Sequence, residues 1–293
     1  MQFLFDRATH IFDPIHQFWT AEQTHKTVSG GLVAVFLLSI LGIELNRHGL
    51  LPPFIASLTP LNHFYAVHIA FTLVLILEVI SLIFILPCSM SKSVGKQFQI
   101  LSLILLRNSF KELVHFSEPI VINDTAPLFR IISDGIGALA IFVILGIYYQ
   151  MQHKRDEIKG GEARYRFVAS KKIISLILLG TFIGMGIYNS LQLFSGQPRI
   201  DIFATFYTIL IFCDILLVLI SQQYLPAFHA VFRNSGYALS TLFIRLALAA
   251  PAYYNAAIGI SAALFAVFLT MAYNYFYARM ETCAVAEESN CKE

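Results

Sequence analysis

Arg107 and Arg245 stand inside strongly apolar runs, and each follows an apolar run that carries one acid, Glu78 and Asp214. An ion at membrane depth is costly, about 3 kcal/mol on insertion scales, and is ordinarily paired or functional. Arginine keeps its proton, whereas a carboxylate in a dry site can take one up when its partner moves away. Glu78 and Asp214 are therefore candidate proton or cation sites, with Arg107 and Arg245 as their counter-charges. The plainer expectation is that each pair only fixes how two helices dock. Asp134, near the outer start of its apolar run, either extends such a path or caps a helix.

A second set of chemically capable residues is histidine. His48, His63, His68 and His115, four of the nine, are expected near one face of the membrane. With Glu112 and Glu118 nearby, they could offer nitrogen and oxygen ligands to a divalent metal such as zinc or copper. His68 and His115 could instead oppose one another as axial ligands of a b-type haem between facing helices. His63 and His68 are off the three- or four-residue spacing that places side chains on one helical face. The second half of the chain has no counterpart histidines. Metal and haem therefore stand as alternatives, and the transport reading requires no cofactor.

The elements that must hold these residues follow from composition. With 57% apolar residues, 13% charged residues and a mean hydropathy of +0.69, the chain lies far from the soluble average and belongs in a bilayer. At about 1.5 Å per helical residue, a hydrocarbon core of roughly 30 Å needs about 20 residues to cross. Runs of about that length occur near 28–46, 63–87, 98–116, 130–150, 172–192, 202–224, 236–252 and 256–277. The third is interrupted by Arg107, Asn108 and Lys111, and the seventh is shortened by Pro251, so either could be re-entrant or interfacial. Lysine and arginine collect on the cytoplasmic side of short loops. Eight crossings place most of the 20 basic residues on one side, together with both termini. Six crossings divide them evenly. The expected fold is thus an all-α integral membrane protein of about eight transmembrane helices, in a plasma or inner membrane, with both termini cytoplasmic.

Leu103 to Arg107 (LILLR) resembles Thr241 to Arg245 (TLFIR) at nearly the offset that separates Glu78 from Asp214. Ala138 to Tyr149 likewise matches Ala263 to Asn274 in texture. These likenesses predict two four-helix repeats, and an even number of crossings makes the repeats parallel. The domain plan is an interfacial amino-terminal segment, 1–27, and a first membrane unit, 28–150. A basic cytoplasmic linker, 151–171, a second unit, 172–280, and a polar tail, 281–293, follow. Small residues at Gly30, Gly31, Gly135, Gly137, Gly180, Gly184 and Gly186 are expected to let helices approach closely. At matching depths, Glu78 would meet Arg107 and Asp214 would meet Arg245.

Lys154, Arg155, Arg164, Arg166, Lys171 and Lys172 make the linker a topology signal facing anionic lipid headgroups. The first 27 residues carry Asp6, Asp13 and Pro14 and so lack the apolar core of a cleavable signal. Phe3, Phe5, Phe12, Phe18 and Trp19 instead suit headgroup depth. Cys88, Cys213, Cys283 and Cys291 form no CxxC pair and are expected as reduced thiols. No nucleotide-binding glycine loop, nucleophile elbow or HExxH motif occurs, so nothing points to an ordinary hydrolase or ATPase. No feature points to nucleic acid. The partners expected are the bilayer, a small ion or proton, and a second copy or membrane subunit. Three function classes remain, in order: an ion- or proton-coupled transporter or channel, a membrane haem or metal protein, and a noncatalytic subunit or sensor.

Overall fold

The computed structural model describes residues 2–50, 52, 59–87, 90–116, 125–152, 161–195 and 201–290. Among them are nine α-helices and no strand: α1 (Gln2–Thr20), α2 (Glu22–Arg47), α3 (Phe64–Ile85), α4 (Met90–Lys111), α5 (Ala126–Gln150), α6 (Gly161–Ser195), α7 (Ile202–Tyr224), α8 (Phe228–Ala249) and α9 (Tyr254–Asn290). One 3-10 turn, Glu112–His115, follows α4. Each of the eight apolar runs lies in its own helix, α2 to α9. Six of these, α2, α3, α5, α6, α7 and α9, are long and apolar enough to cross a membrane. The protein is an all-helical, polytopic integral membrane protein.

The remaining two, α4 and α8, are long enough at 22 residues each but too polar. Their polarity has a packing cause. Helix α4 touches α3, α5, α8 and α9, and α8 touches α7, α9 and α4. Ser93, Gln97, Ser102 and Ser109 of α4 are buried, as are Asn234, Ser240, Thr241 and Arg245 of α8. A helix enclosed by other helices can carry hydrogen-bonding side chains that lipid would penalise. Helix α8 stops at Ala249 because the residue before Pro251 is driven out of helical conformation.

Two apolar clusters flank this centre. One joins Phe98, Leu101 and Leu105 of α4 to Ile141 and Tyr148 of α5 and to residues of α8 and α9. The other joins Val79 and Leu82 of α3 to Leu178 of α6 and to Phe206 and Leu210 of α7. Helix α4 contributes to both, through Ile100 and Ile104 in the second. Small residues matter at fewer places than expected. A methyl group added at Gly137 would come within 2.6 Å of the Ala256 Cβ, so Gly137 sets the α5–α9 approach. At Gly30, Gly31, Gly135, Gly180, Gly184 and Gly186 it would meet nothing within 4 Å, so these glycines mediate no close contact among the described residues. Gly137→Val is expected to destabilise the fold by about 1–3 kcal/mol through overpacking, while Gly184→Val leaves it unchanged. Thermal unfolding in detergent followed by circular dichroism checks both.

The amino-terminal helix is held by α6. Tyr165 donates to Asp6 at 2.5 Å and Lys172 bonds Asp13 at 2.7 Å, both across 159 residues, so α1 and α6 run parallel in register. Phe12 and Trp19 pack against Phe84 of α3. Phe3, Leu4, Ile11 and Phe18 remain exposed. These contacts revise the basic stretch. Helix α6 begins at Gly161, so the second half of the 151–171 segment is helical. Lys171 is 3% exposed and lies over the Phe167 ring at 4.1 Å, and Lys172 serves Asp13, so neither is a lipid-facing charge. Arg164 and Arg166 are exposed, with Arg166 bonded to Glu162. Lys154 and Arg155 lie outside the described residues.

Candidate intramembrane polar site

The face of α8 turned toward α7 carries Asn234, Thr241 and Arg245. The facing side of α7 carries Tyr207, Asp214 and Ser221. Together they form a seam of polar groups between the two helices. Asn234 donates to Ser221 at one end, near the short α7–α8 connection. Farther along, Asp214 lies beside Thr241. Arg245 follows, with its guanidinium 5.0 Å from the centre of the Tyr207 ring. Arg107 of α4 is in electrostatic reach of Tyr207 and of Asp201, the residue that caps α7 by accepting from Ala204 N.

Asp214 and Arg245 share this site without a direct ion pair. Counted from the α7–α8 connection, Asp214 is about 15 Å along α7 and the Arg245 Cα about 26 Å along α8, at 1.5 Å per residue. Helical side chains lean toward the helix amino terminus, which brings the Arg245 guanidinium back toward the carboxylate. Gln97 of α4 occupies the space between them. It accepts from Arg245 Nη2 at 2.8 Å, and its amide lies beside Asp214. Asp214 is 4% exposed, Arg245 5% and Gln97 1%. Asp214 Oδ2, Gln97 Nε2, Arg245 Nε, Tyr207 Oη and Arg107 Nε are buried with no hydrogen-bond partner among the described residues. Buried polar atoms are nearly always satisfied, so five unpartnered atoms on neighbouring side chains single out this place as a candidate site.

The first expected pair is replaced. Glu78 bonds Lys96 instead of Arg107. The reason is depth. Helix α4 begins at Met90, eight residues before the apolar run suggested, so Lys96 lies inside it. From the short α3–α4 connection, Glu78 is about 10 Å along its helix and Lys96 about 9 Å, whereas Arg107 is about 26 Å away. On its other side Glu78 borders a cavity of about 170 Å³ between α1, α2 and α3, with Trp19, His25, Ser29 and Ser81 also in its wall. The Trp19 indole N–H donates to Ser81 at 3.1 Å.

Asp134 neither caps α5 nor joins the seam. It lies two turns into the helix, 4% exposed, and accepts from Asn255 Nδ2 of α9 at 3.0 Å. His63 sits between Glu44, at 2.8 Å, and Arg47, at 3.1 Å. His48 approaches the same Glu44 at 3.5 Å. His68 has Arg107 and Lys111 as electrostatic neighbours, a cationic setting that opposes a bound metal cation. The His115 side chain and Glu118 lie outside the described residues, so the opposed-histidine arrangement has one described member. Among the described residues no three histidine, cysteine or acidic side chains gather in a metal-holding group.

Gln97, Lys96, Tyr207, Thr241, Asn234 and Asn255 are the site residues that sequence reasoning passed over. The first two fall just outside a boundary drawn at residue 98. For Tyr207 and Thr241 a usable signal existed: each lies one helical repeat from a buried charge on the same face, Tyr207 seven residues before Asp214 and Thr241 four before Arg245. No family model matches the chain, and neither a curated protein nor a solved structure matches it significantly.

Proposed function

We propose that the protein is a proton-coupled ion transporter whose path is the α7–α8 seam, with Asp214 as the proton site and Arg245 as its resident counter-charge. The observation that carries this reading is the buried carboxylate and guanidinium held apart across Gln97, each with an orphaned polar atom. A pair that only docked helices would gain most from direct bidentate contact. Held apart, Asp214 can exchange a proton while Arg245 keeps its charge and its bond to Gln97. Polar residues continue in both directions from this point, to Ser221 and Asn234 at one end and to Tyr207, Arg107 and Asp201 at the other. Intramembrane ionisable groups facing a bundle interior are characteristic of such relays.

The same reading takes α4 and α8 as crossing helices, giving eight spans, both termini in the cytoplasm and two parallel repeats. Packing order supports it. In each half the first helix touches the second, the second the third and the third the fourth, from α2 to α5 and again from α6 to α9. The halves meet through α4 with α8, α5 with α9, α3 with α6 and α4 with α9. Exposed Arg164 and Arg166 then lie on the cytoplasmic face, where anionic headgroups attract them.

The test is reconstitution of the full chain into liposomes with an imposed pH gradient and a trapped pH dye. Dissipation that requires the protein and responds to the identity of the accompanying ion is expected. Vesicles as tight as protein-free controls under every ion tried would refute the reading.

A further inference from the structure

The loss of Glu78 as a partner leaves Arg107 in an unusual position. Its acidic neighbour in electrostatic reach is Asp201, which is exposed and already accepts the backbone N–H of Ala204. Glu78 is committed to Lys96, and Glu112, just beyond α4, faces Arg130 at 3.5 Å. Arg245 is balanced by a single carboxylate, Asp214. The two guanidiniums thus have one buried carboxylate, Asp214, and one exposed carboxylate, Asp201, to answer them.

The orphaned atoms are mostly donors. Arg107 Nε, Tyr207 Oη and Arg245 Nε are all hydrogen-bond donors, they come from three different helices, and both guanidiniums act on the one phenol. Asp214 Oδ2, on the far side of Arg245, is the orphaned acceptor. Three unpartnered donors, two of them on guanidiniums, are best answered by an acceptor that is itself negative. The geometry points to a binding site for a small monovalent anion, of halide or nitrate size, held by Arg107, Tyr207 and Arg245. The anion is then the ion that accompanies the proton, which rests on the transport reading above; the binding itself does not.

Arg245 links the two ligands. When Asp214 is ionised, its charge already answers Arg245 and competes with the anion. Protonation of Asp214 releases Arg245, so proton and anion bind with positive cooperativity, and by linkage each favours the other. Together they add no net charge to the seam. Arg107 and Tyr207 set specificity, and Asp214 couples it to protons.

The experiment is thermal unfolding of the purified full-length protein in detergent, with gluconate replaced stepwise by chloride, bromide or nitrate at constant ionic strength. The wild type is expected to show a saturable upward shift of roughly 3 °C or more. Asp214→Asn, a fixed stand-in for the protonated acid, is expected to lower the half-saturating concentration at least about 5-fold. Tyr207→Phe, which keeps the ring and removes one donor, should raise it, and Arg107→Gln should abolish the shift. If Arg107→Gln does not fold, the other two variants still decide the matter. No saturable shift over gluconate, an unchanged response in Tyr207→Phe, or weaker binding in Asp214→Asn would each overturn the proposal. A clear anion response in a protein that moves no protons would leave the site standing and remove the transport reading.

Discussion

Asp214→Asn is expected to reduce proton flux in reconstituted vesicles to the level of protein-free controls, while the protein still folds and elutes as wild type does. The asparagine keeps the volume and one acceptor oxygen, so the seam retains its packing, but it cannot bind and release a proton. Asp214→Glu should retain measurable flux, because the longer acid still reaches the space beside Gln97 and Thr241. This pattern separates a relay from a docking contact. A docking contact would tolerate neutralisation at constant flux and lose only stability. Undiminished flux in Asp214→Asn would remove Asp214 from the mechanism.

The second large effect concerns Glu78. Its bond to Lys96 predicts a coupling of about 1–2 kcal/mol in a double-mutant cycle of Glu78→Gln with Lys96→Met. The corresponding cycle of Glu78→Gln with Arg107→Gln should give close to zero, since the two lie about 15 Å apart along the helix direction at 1.5 Å per residue. Either single change leaves one ion without its partner in a largely buried place, so each alone costs more than the two together. Reversible unfolding in mixed micelles measures all four corners. Coupling to Arg107 in place of Lys96 would restore the arrangement expected from apolar runs alone.

The two charge pairs show where sequence is legible and where it stops. Long apolar runs placed all eight helices, because transfer of apolar surface out of water dominates and needs no knowledge of neighbours. The ends of α4 and α8 escaped, since hydropathy treats Lys96, Gln97 and Asn234 as loop residues. In the structure their cost is met by Glu78, Arg245 and Ser221 on other helices. Partner choice was lost with the boundary: an eight-residue error in the start of α4 moves Arg107 by about 12 Å relative to Glu78. The second pair is altered as well: helix α7 spans Ile202–Tyr224 as expected, but Asp214 and Arg245 make no direct ion pair, and Gln97 bonds Arg245 beside Asp214. The glutamine between them was invisible because it arrives from the other half of the chain.

The register of α1 along α6 also constrains how the molecule is made. The partners Tyr165 and Lys172 are translated 159 residues after Asp6 and Asp13. At roughly 5–20 residues per second, this is an interval of about 8–32 s in which the first helix has left the ribosome without the helix it will lie against. During that time Phe12 and Trp19 can meet Phe84 as soon as α3 has emerged. Helix α1 is therefore synthesised well before α6 and locked only after α6 has followed. Its closure reports that the second half has arrived.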